Sequence, residues 1–187
     1  MFNKSKIVCI FQHARESINA LANSTADIAI SGIDLLQNSD LEVQKKIKIY
    51  KRLNYAHATL GIFCLNSWID CQTMLDVSEI ASEMLKKNKE PMKCSTKYRR
   101  LVENFFVERN VKNLEVIDSI GATEVDPRIS QSSLVADIFS SGKTAEANGL
   151  RLIKDGRIMD SSAALLVSKK SFNNTKVKSL LKLLSKN

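Results

Sequence analysis

The stretch Leu134-Val-Ala-Asp137-Ile-Phe-Ser140-Ser141-Gly142-Lys143-Thr144-Ala-Glu-Ala-Asn-Gly-Leu150 decides how this chain is read. An apolar run carrying an acid meets a small, hydroxyl-rich turn, then a short helix-compatible segment. A strand–loop–helix junction of this kind can build a phosphate site. Gly142 lets the backbone approach an anion, and Ser140, Ser141 and Thr144 can donate hydroxyl hydrogen bonds. The N–H groups that open the following helix favour negative charge. Asp137, at the strand's end, is placed to accept sugar hydroxyls. A second reading stands beside this one: Ser-Ser-Gly-Lys-Thr also suits an ordinary helix N-cap. A P-loop is excluded, because position 137 is Asp where that motif needs Gly.

Outward from this stretch, apolar segments alternate with amphipathic ones. Residues 7–11, 27–31, 46–52, 59–65, 114–117, 134–138, 150–153 and 163–167 read as strands. Residues 15–22 and 176–184 read as helices. Asp76-Val-Ser-Glu79 looks like a capping-box start, with Val77, Ile80, Ala81, Met84 and Leu85 on one face. Tyr98, Leu101, Val102, Phe105 and Phe106 share the same spacing. The alternation predicts an α/β fold with mostly parallel sheets flanked by helices.

The bulk properties bound the function. The chain has 187 residues and a formal net charge of +8, which suits polyanionic partners such as nucleotides or phosphosugars. No aromatic–basic signature or helix-turn-helix pattern stands out, so nucleic acid is not the expected partner. No apolar run is long enough to span a membrane, and residues 7–11 are too few for a secretory core. A cytoplasmic location is expected, with Cys9, Cys64, Cys71 and Cys94 as buried thiols. His13 and His57 are far apart, and no metal-ligand spacing occurs. They read as a loop residue and a strand-edge residue, Trp68 as a packing residue, and Arg99-Arg100 as a solvated helix start.

Taken in order, the segments resemble the ATP phosphoribosyltransferase family. The 135–150 stretch is similar to that family's phosphoribosyl-diphosphate loop, and Gly121-Ala-Thr-Glu124-Val-Asp-Pro127 to its Gly-Ser/Ala-x-Glu-x-x-Pro segment. Ala26-Asp-Ile-Ala-Ile-Ser-Gly32-Ile-Asp34, Ser95-Thr-Lys-Tyr98 and Asp160-Ser-Ser-Ala163 resemble three further family segments. The resemblance implies two lobes like type II periplasmic binding proteins. Residues 1–65 with 160–187 would form the first, and 66–159 the second. It implies transfer of phosphoribosyl from phosphoribosyl diphosphate to N1 of ATP with magnesium, releasing pyrophosphate, in the first step of histidine biosynthesis. Glu124 and Asp137 would take the ribose hydroxyls, and Ser140, Ser141, Gly142, Lys143 and Thr144 the 5-phosphate. The length is that of the short form, which implies a homo-oligomer or a hetero-oligomer with a histidyl-tRNA-synthetase-like regulatory subunit.

The chain also departs from the family pattern. The family's opening strand and Leu-Pro-Lys-Gly-Arg loop have no counterpart. Thr59 stands where a basic residue is usual, Ile33 where a basic or polar one is common, and Arg99-Arg100 where Pro-Asn is usual. The alternative reading is therefore a non-catalytic homologue that binds phosphoribosyl diphosphate or nucleotides in a regulatory role.

Overall fold

A computed structural model describes residues 7–119, 123 and 132–185. Among these residues, eight strands form two sheets. The smaller contains β1 (Ile28–Gly32), β2 (Ile47–Arg52) and β8 (Ala163–Ser168), in the order β1-β8-β2. The larger contains β3 (Ala58–Leu65), β4 (Met92–Thr96), β5 (Leu114–Asp118), β6 (Leu134–Phe139) and β7 (Leu150–Ser161), in the order β5-β4-β6-β3-β7. The chain passes from smaller to larger sheet between β2 and β3, and returns at Ser162 between β7 and β8. The two crossings are tied together. The Leu53 N–H donates to the Ala163 carbonyl at 2.8 Å, and the Ala163 N–H donates to the Tyr55 carbonyl at 3.1 Å.

The expected α/β architecture with flanking helices is present. Parallel pairing is confined to β5-β4-β6, and the remaining pairings are antiparallel. Parallel neighbours need a long crossover, which α5 (Arg99–Glu108) supplies between β4 and β5. β3 and β8 instead follow the other sheet through short connections, and each runs against both of its neighbours.

Strand β8 is buried along its whole length, because both sheet faces are covered. Ala164 and Leu166 pack against Ile18 and Leu21 of α1 (Ala14–Ala22) and Ile33 and Leu36 of α2 (Ile33–Asn38). Leu165 and Val167 meet Val177 and Leu181 of α7 (Thr175–Leu184) on the other face. In the larger sheet, Leu60, Ile62, Cys94 and Leu134 share one cluster with Val77 and Ala81 of α4 (Met74–Asn88) and Val102 and Phe106 of α5. The predicted apolar stripes on these two helices are core, and Trp68 packs against the same cluster.

Several local expectations change. Residues 7–11 form no strand, and their large side chains are exposed, because no neighbouring strand lies beside them among the described residues. Cys9 is consequently exposed, whereas Cys64, Cys71 and Cys94 are buried free thiols. Lys46 ends the helix α3 (Leu41–Lys46), and β2 starts one residue later. Helix α4 is capped by Thr73 rather than by Asp76. The Thr73 hydroxyl accepts from the Asp76 N–H at 3.3 Å, and the Asp76 carboxylate accepts from the Thr73 N–H at 2.8 Å. Asp76 is thus the third helical residue, closing the capping box in the first turn, not its start. Strand β7 runs far beyond residue 153, and two register shifts against β3 absorb its Lys154-Asp155-Gly156 interruption.

The burial of β8 yields a stability prediction. Leu166 is fully buried with helices on its side of the sheet. Leu166→Ala should lower the unfolding free energy by about 2–5 kcal/mol, from lost transfer energy plus a residual cavity. Urea titration followed by circular dichroism measures this.

Candidate functional site

Strand β6 carries Asp137 towards the end of the sheet, between β4 and β3. The Ile138 N–H donates to Asp137 Oδ1 at 2.7 Å, which orients the carboxylate. Ser140 and Ser141 follow the strand and are exposed. Gly142 then caps α6 (Lys143–Ala147) at φ 73°, in the left-handed region. A side chain at this position would meet nothing within 4 Å. The positive φ, not crowding, therefore selects glycine here, and open space is left in front of the backbone. Lys143 and Thr144 are exposed at the helix start, with the Glu146 N–H donating to the Gly142 carbonyl at 3.0 Å.

Asp137, Ser140, Ser141, Gly142 and Thr144 line one cavity of about 180 Å³. Its floor is apolar, made by Phe63, Val135, Phe139 and Leu150, with the Phe63 and Phe139 rings edge to face at 5.2 Å. Lys143 lies outside that lining. Of the seven residues expected to hold phosphoribosyl diphosphate, six fall together on this strand and turn. Glu124 lies outside the described residues.

A second polar cluster was not anticipated as part of the site. Ser161, at the end of β7, donates to Asp34 Oδ1 at 2.5 Å, and the Asp34 N–H donates to Ser161 Oγ at 3.1 Å. Asp34 is buried at the start of α2. A side chain on Gly32 would lie 2.4 Å from Asp34 Oδ1, so glycine is needed there to admit the carboxylate. Tyr98 hydrogen-bonds to Asp34 as well. Its phenol is pushed well above the usual range, first by burial and then by the negative charges of Asp34 and Asp137. Arg15 opposes that shift from the other side, with Nη2 donating to the Lys97 carbonyl at 3.2 Å. Tyr98, Asp34 and Asp137 are thereby within electrostatic reach of each other, although 64 and 39 positions separate Tyr98 from the two acids.

Thr59 lies opposite Phe139 on one side and Asp160 on the other. Its hydroxyl donates to Asp160 Oδ1 at 2.7 Å, and Arg157 Nη2 donates to the Thr59 hydroxyl at 3.2 Å and to Asp160 at 3.0 Å. A guanidinium therefore reaches the position where Thr59 itself brings no charge. Strand register brings Thr59 to the Arg157–Asp160 pair, about a hundred positions away, which is why the sequence alone did not reveal Arg157. His57 takes no part: it is exposed and bonded to Asn54 at 3.1 Å. Arg99 pairs with Glu103 and Asp118, and Arg100 donates to the Ser39 carbonyl, so both are structural at the helix start.

Charge is unevenly divided. Residues 1–57 with 162–187 hold 14 Lys and Arg against 5 Asp and Glu, whereas residues 58–161 hold 14 against 15. The excess behind the +8 thus sits with the smaller sheet, away from the loop. Among the described residues no group of three or more His, Cys, Asp or Glu could hold a metal ion. Nor is any helix among them long and apolar enough to cross a membrane.

The hydrogen bond from the Thr59 hydroxyl holds the exposed Asp160 carboxyl below its ordinary value; desolvation opposes it, and the Arg157 charge and hydrogen bond add to the lowering. A lowered carboxyl contributes stability above the unfolded value of about 3.9, and loses it as pH falls through the lower folded value. Thr59→Val should move the Asp160 titration upward, and carboxyl-carbon NMR across pH 2–6 reads it. An unchanged titration would refute the assigned role of the hydroxyl.

Comparison with known proteins agrees with this geometry. A family model described as ATP phosphoribosyltransferase matches residues 14–186. The ATP phosphoribosyltransferase of Rhizobium etli is 32% identical over 161 residues, covering 86% of this chain and 70% of the relative. That of Nitrobacter winogradskyi is also 32% identical, covering 84% of this chain and 49% of the relative. Among solved structures, the ATP phosphoribosyl transferase HisG:HisZ complex of Thermotoga maritima aligns with a TM-score of 0.73 at 17% identity, over 97% of this chain and 79% of that one. A probable amino-acid ABC transporter extracellular-binding protein of Bacillus subtilis aligns at 0.54 and 13%, over 93% and 72%. These structural likenesses place the fold with the type II periplasmic binding proteins. The match along nearly the whole chain, on the segments that carry the loop and the Asp34 turn, makes this chain a member of the ATP phosphoribosyltransferase family.

Proposed function

We propose that the chain is an ATP phosphoribosyltransferase catalytic subunit, joining N1 of ATP to C1 of phosphoribosyl diphosphate with release of pyrophosphate. The observation that carries this reading is Asp137 in the last half of β6, which shares one cavity lining with the open turn at Gly142. In this reading the loop N–H groups, the Ser140, Ser141 and Thr144 hydroxyls and the Lys143 ammonium bind the 5-phosphate. Asp137 and Glu124 accept from the ribose hydroxyls. No covalent nucleophile is needed, because the attacking nitrogen belongs to ATP. Catalysis then rests on alignment and on stabilising charge that develops on the leaving diphosphate.

Magnesium fits as a companion of the substrate rather than as a resident ion. Among the described residues, Asp137 is the carboxylate that lines the cavity, and magnesium is commonly held by one or two carboxylates plus substrate phosphates. When bound it would neutralise diphosphate charge. The protein's own part is to orient the ribose through Asp137 and to supply cations. Arg157 bonds to Thr59 and Asp160, and the charge of Arg15 acts on Tyr98.

The two-lobed division belongs to the same reading, with residues 1–65 and 160–187 in the first lobe and 66–159 in the second. β3 and the end of β7 carry the chain across, and both pair in the larger sheet. A hetero-oligomer with a histidyl-tRNA-synthetase-like regulatory subunit, and a cytoplasmic location, also follow from this reading. The solved HisG:HisZ complex supports the first.

Pyrophosphate release from ATP and phosphoribosyl diphosphate, with magnesium, tests the activity with and without the regulatory subunit. Asp137→Asn should lower turnover by about 100-fold or more, if it removes a contact that strengthens in the transition state. Calorimetry separates the alternatives. Phosphoribosyl diphosphate binding without turnover in either condition would assign the chain to the non-catalytic reading. Absence of binding would defeat both readings.

A further inference from the structure

Strand β3 connects the loop strand to a cation. Gly61 stands opposite Asp137 of β6 on one side and Arg157 of β7 on the other. Two positions earlier, Thr59 stands opposite Phe139 and Asp160. Directly opposed residues, and residues two apart on one strand, share a sheet face. Thr59, Asp137 and Asp160 therefore lie on one face, together with Phe63 and Val135 of the cavity lining. Thr59 is the diagonal neighbour of Asp137, a spacing of about 7–8 Å in antiparallel pairs.

The Arg157 guanidinium is drawn to the same face. Its Nη2 donates to the Thr59 hydroxyl at 3.2 Å and to Asp160 Oδ1 at 3.0 Å. The side chain is nonetheless 63% exposed. An ion pair this open adds little to stability. What it does is fix where the guanidinium stands. Both described bonds use Nη2, so among the described residues the edge formed by Nη1 and Nε donates no hydrogen bond. Such an edge is a planar fork that matches two oxygens of a phosphate. Because the side chain is already held, less freedom is lost when an anion binds.

We propose that Arg157 binds the diphosphate of phosphoribosyl diphosphate, with Thr59 and Asp160 as the residues that position it. The proposal rests on the reading of Asp137–Thr144 as the seat of the ribose and 5-phosphate. In that substrate the diphosphate leaves from C1, across the ribose from the 5-phosphate. A substrate with its 5-phosphate in the loop and its ribose at Asp137 directs the diphosphate away from the loop. β3 lies between β6 and β7, so the Arg157 strand is two spacings, about 10 Å, from the Asp137 strand. The guanidinium reaches back across that gap to Thr59. When the C1–O bond breaks, its electron pair goes to the diphosphate oxygen while N1 of ATP bonds to C1. A cation held at that oxygen stabilises the charge as it develops.

Calorimetry with magnesium and two ligands tests this, because phosphoribosyl diphosphate carries the diphosphate and ribose 5-phosphate does not. Arg157→Met should weaken phosphoribosyl diphosphate binding by about 10-fold or more, the loss of a hydrogen bond between charged groups, and leave ribose 5-phosphate binding unchanged. Arg157→Lys keeps the charge without the fork and should restore part of the affinity. Thermal unfolding of the unliganded variants should match that of the unaltered chain. Phosphoribosyl diphosphate binding that is unchanged in Arg157→Met overturns the proposal. So does equal weakening of both ligands, which would make Arg157 a purely structural residue. If the unaltered chain binds neither ligand, the reading of the loop fails, and this proposal fails with it.

Discussion

Everything in this structure depends on how the chain re-enters the smaller sheet. Strand β8 inserts between β1 and β2, which otherwise share no strand, and runs antiparallel to both. All six of its residues are buried, so it is the element from which the α1–α2 face and the α7 face both take their packing. Burying an aliphatic side chain is worth about 1.5–3 kcal/mol, and β8 supplies three large ones. Its position is fixed at the entry point. Ser161 is bonded to Asp34, and the Ile33 N–H donates to the Ser162 carbonyl at 3.1 Å. A short polar junction thus registers one sheet against the other.

That junction also bears on the site. Ser161 ends the strand that begins at Leu150, just after the turn at residues 140–149. Asp34 receives Ser161 and Tyr98 together, and the negative charge of Asp137 is felt at the Tyr98 phenol. The buried carboxylate accepts from the Ser161 hydroxyl, and that hydroxyl in turn accepts from the Asp34 N–H. Hydrogen bonds to a charged acceptor are stronger than neutral ones, and they satisfy a group that would otherwise be costly to bury. The polar cluster and the loop are therefore two sides of one arrangement.

Electrostatics separates general from local attraction. The basic excess is carried with the smaller sheet, whereas the loop-bearing part is nearly neutral. Bulk charge can draw anions towards the molecule, whereas the loop offers local geometry: a left-handed glycine, hydroxyls on either side, and the Asp137 carboxylate on the preceding strand. The apolar floor of the adjoining cavity gives the turn a firm base, with Ala145 packed against the cluster of Phe63, Val135 and Leu150.

The sequence by itself determined the local pieces. Periodicity marked α1, α4, α5 and α7 and most strands, and the run from Asp137 to Thr144 declared its turn, because these signals lie within a few residues of each other. Its limits were equally physical. The short helices α2 and α3 hold too few turns to show a period, and the start of α4 was displaced because Thr73 and Asp76 fit the capping box better than Asp76 and Glu79. Residues 7–11 have the composition of a strand, but a strand exists only when a neighbour accepts its hydrogen bonds. Tertiary structure alone decided pairing and proximity: the antiparallel course of β3 and β8, the meeting of Asp34, Tyr98 and Ser161, and the Arg157–Thr59–Asp160 contact. These depend on strand register and on chain crossings, which bring together residues too far apart in sequence for any local pattern to encode.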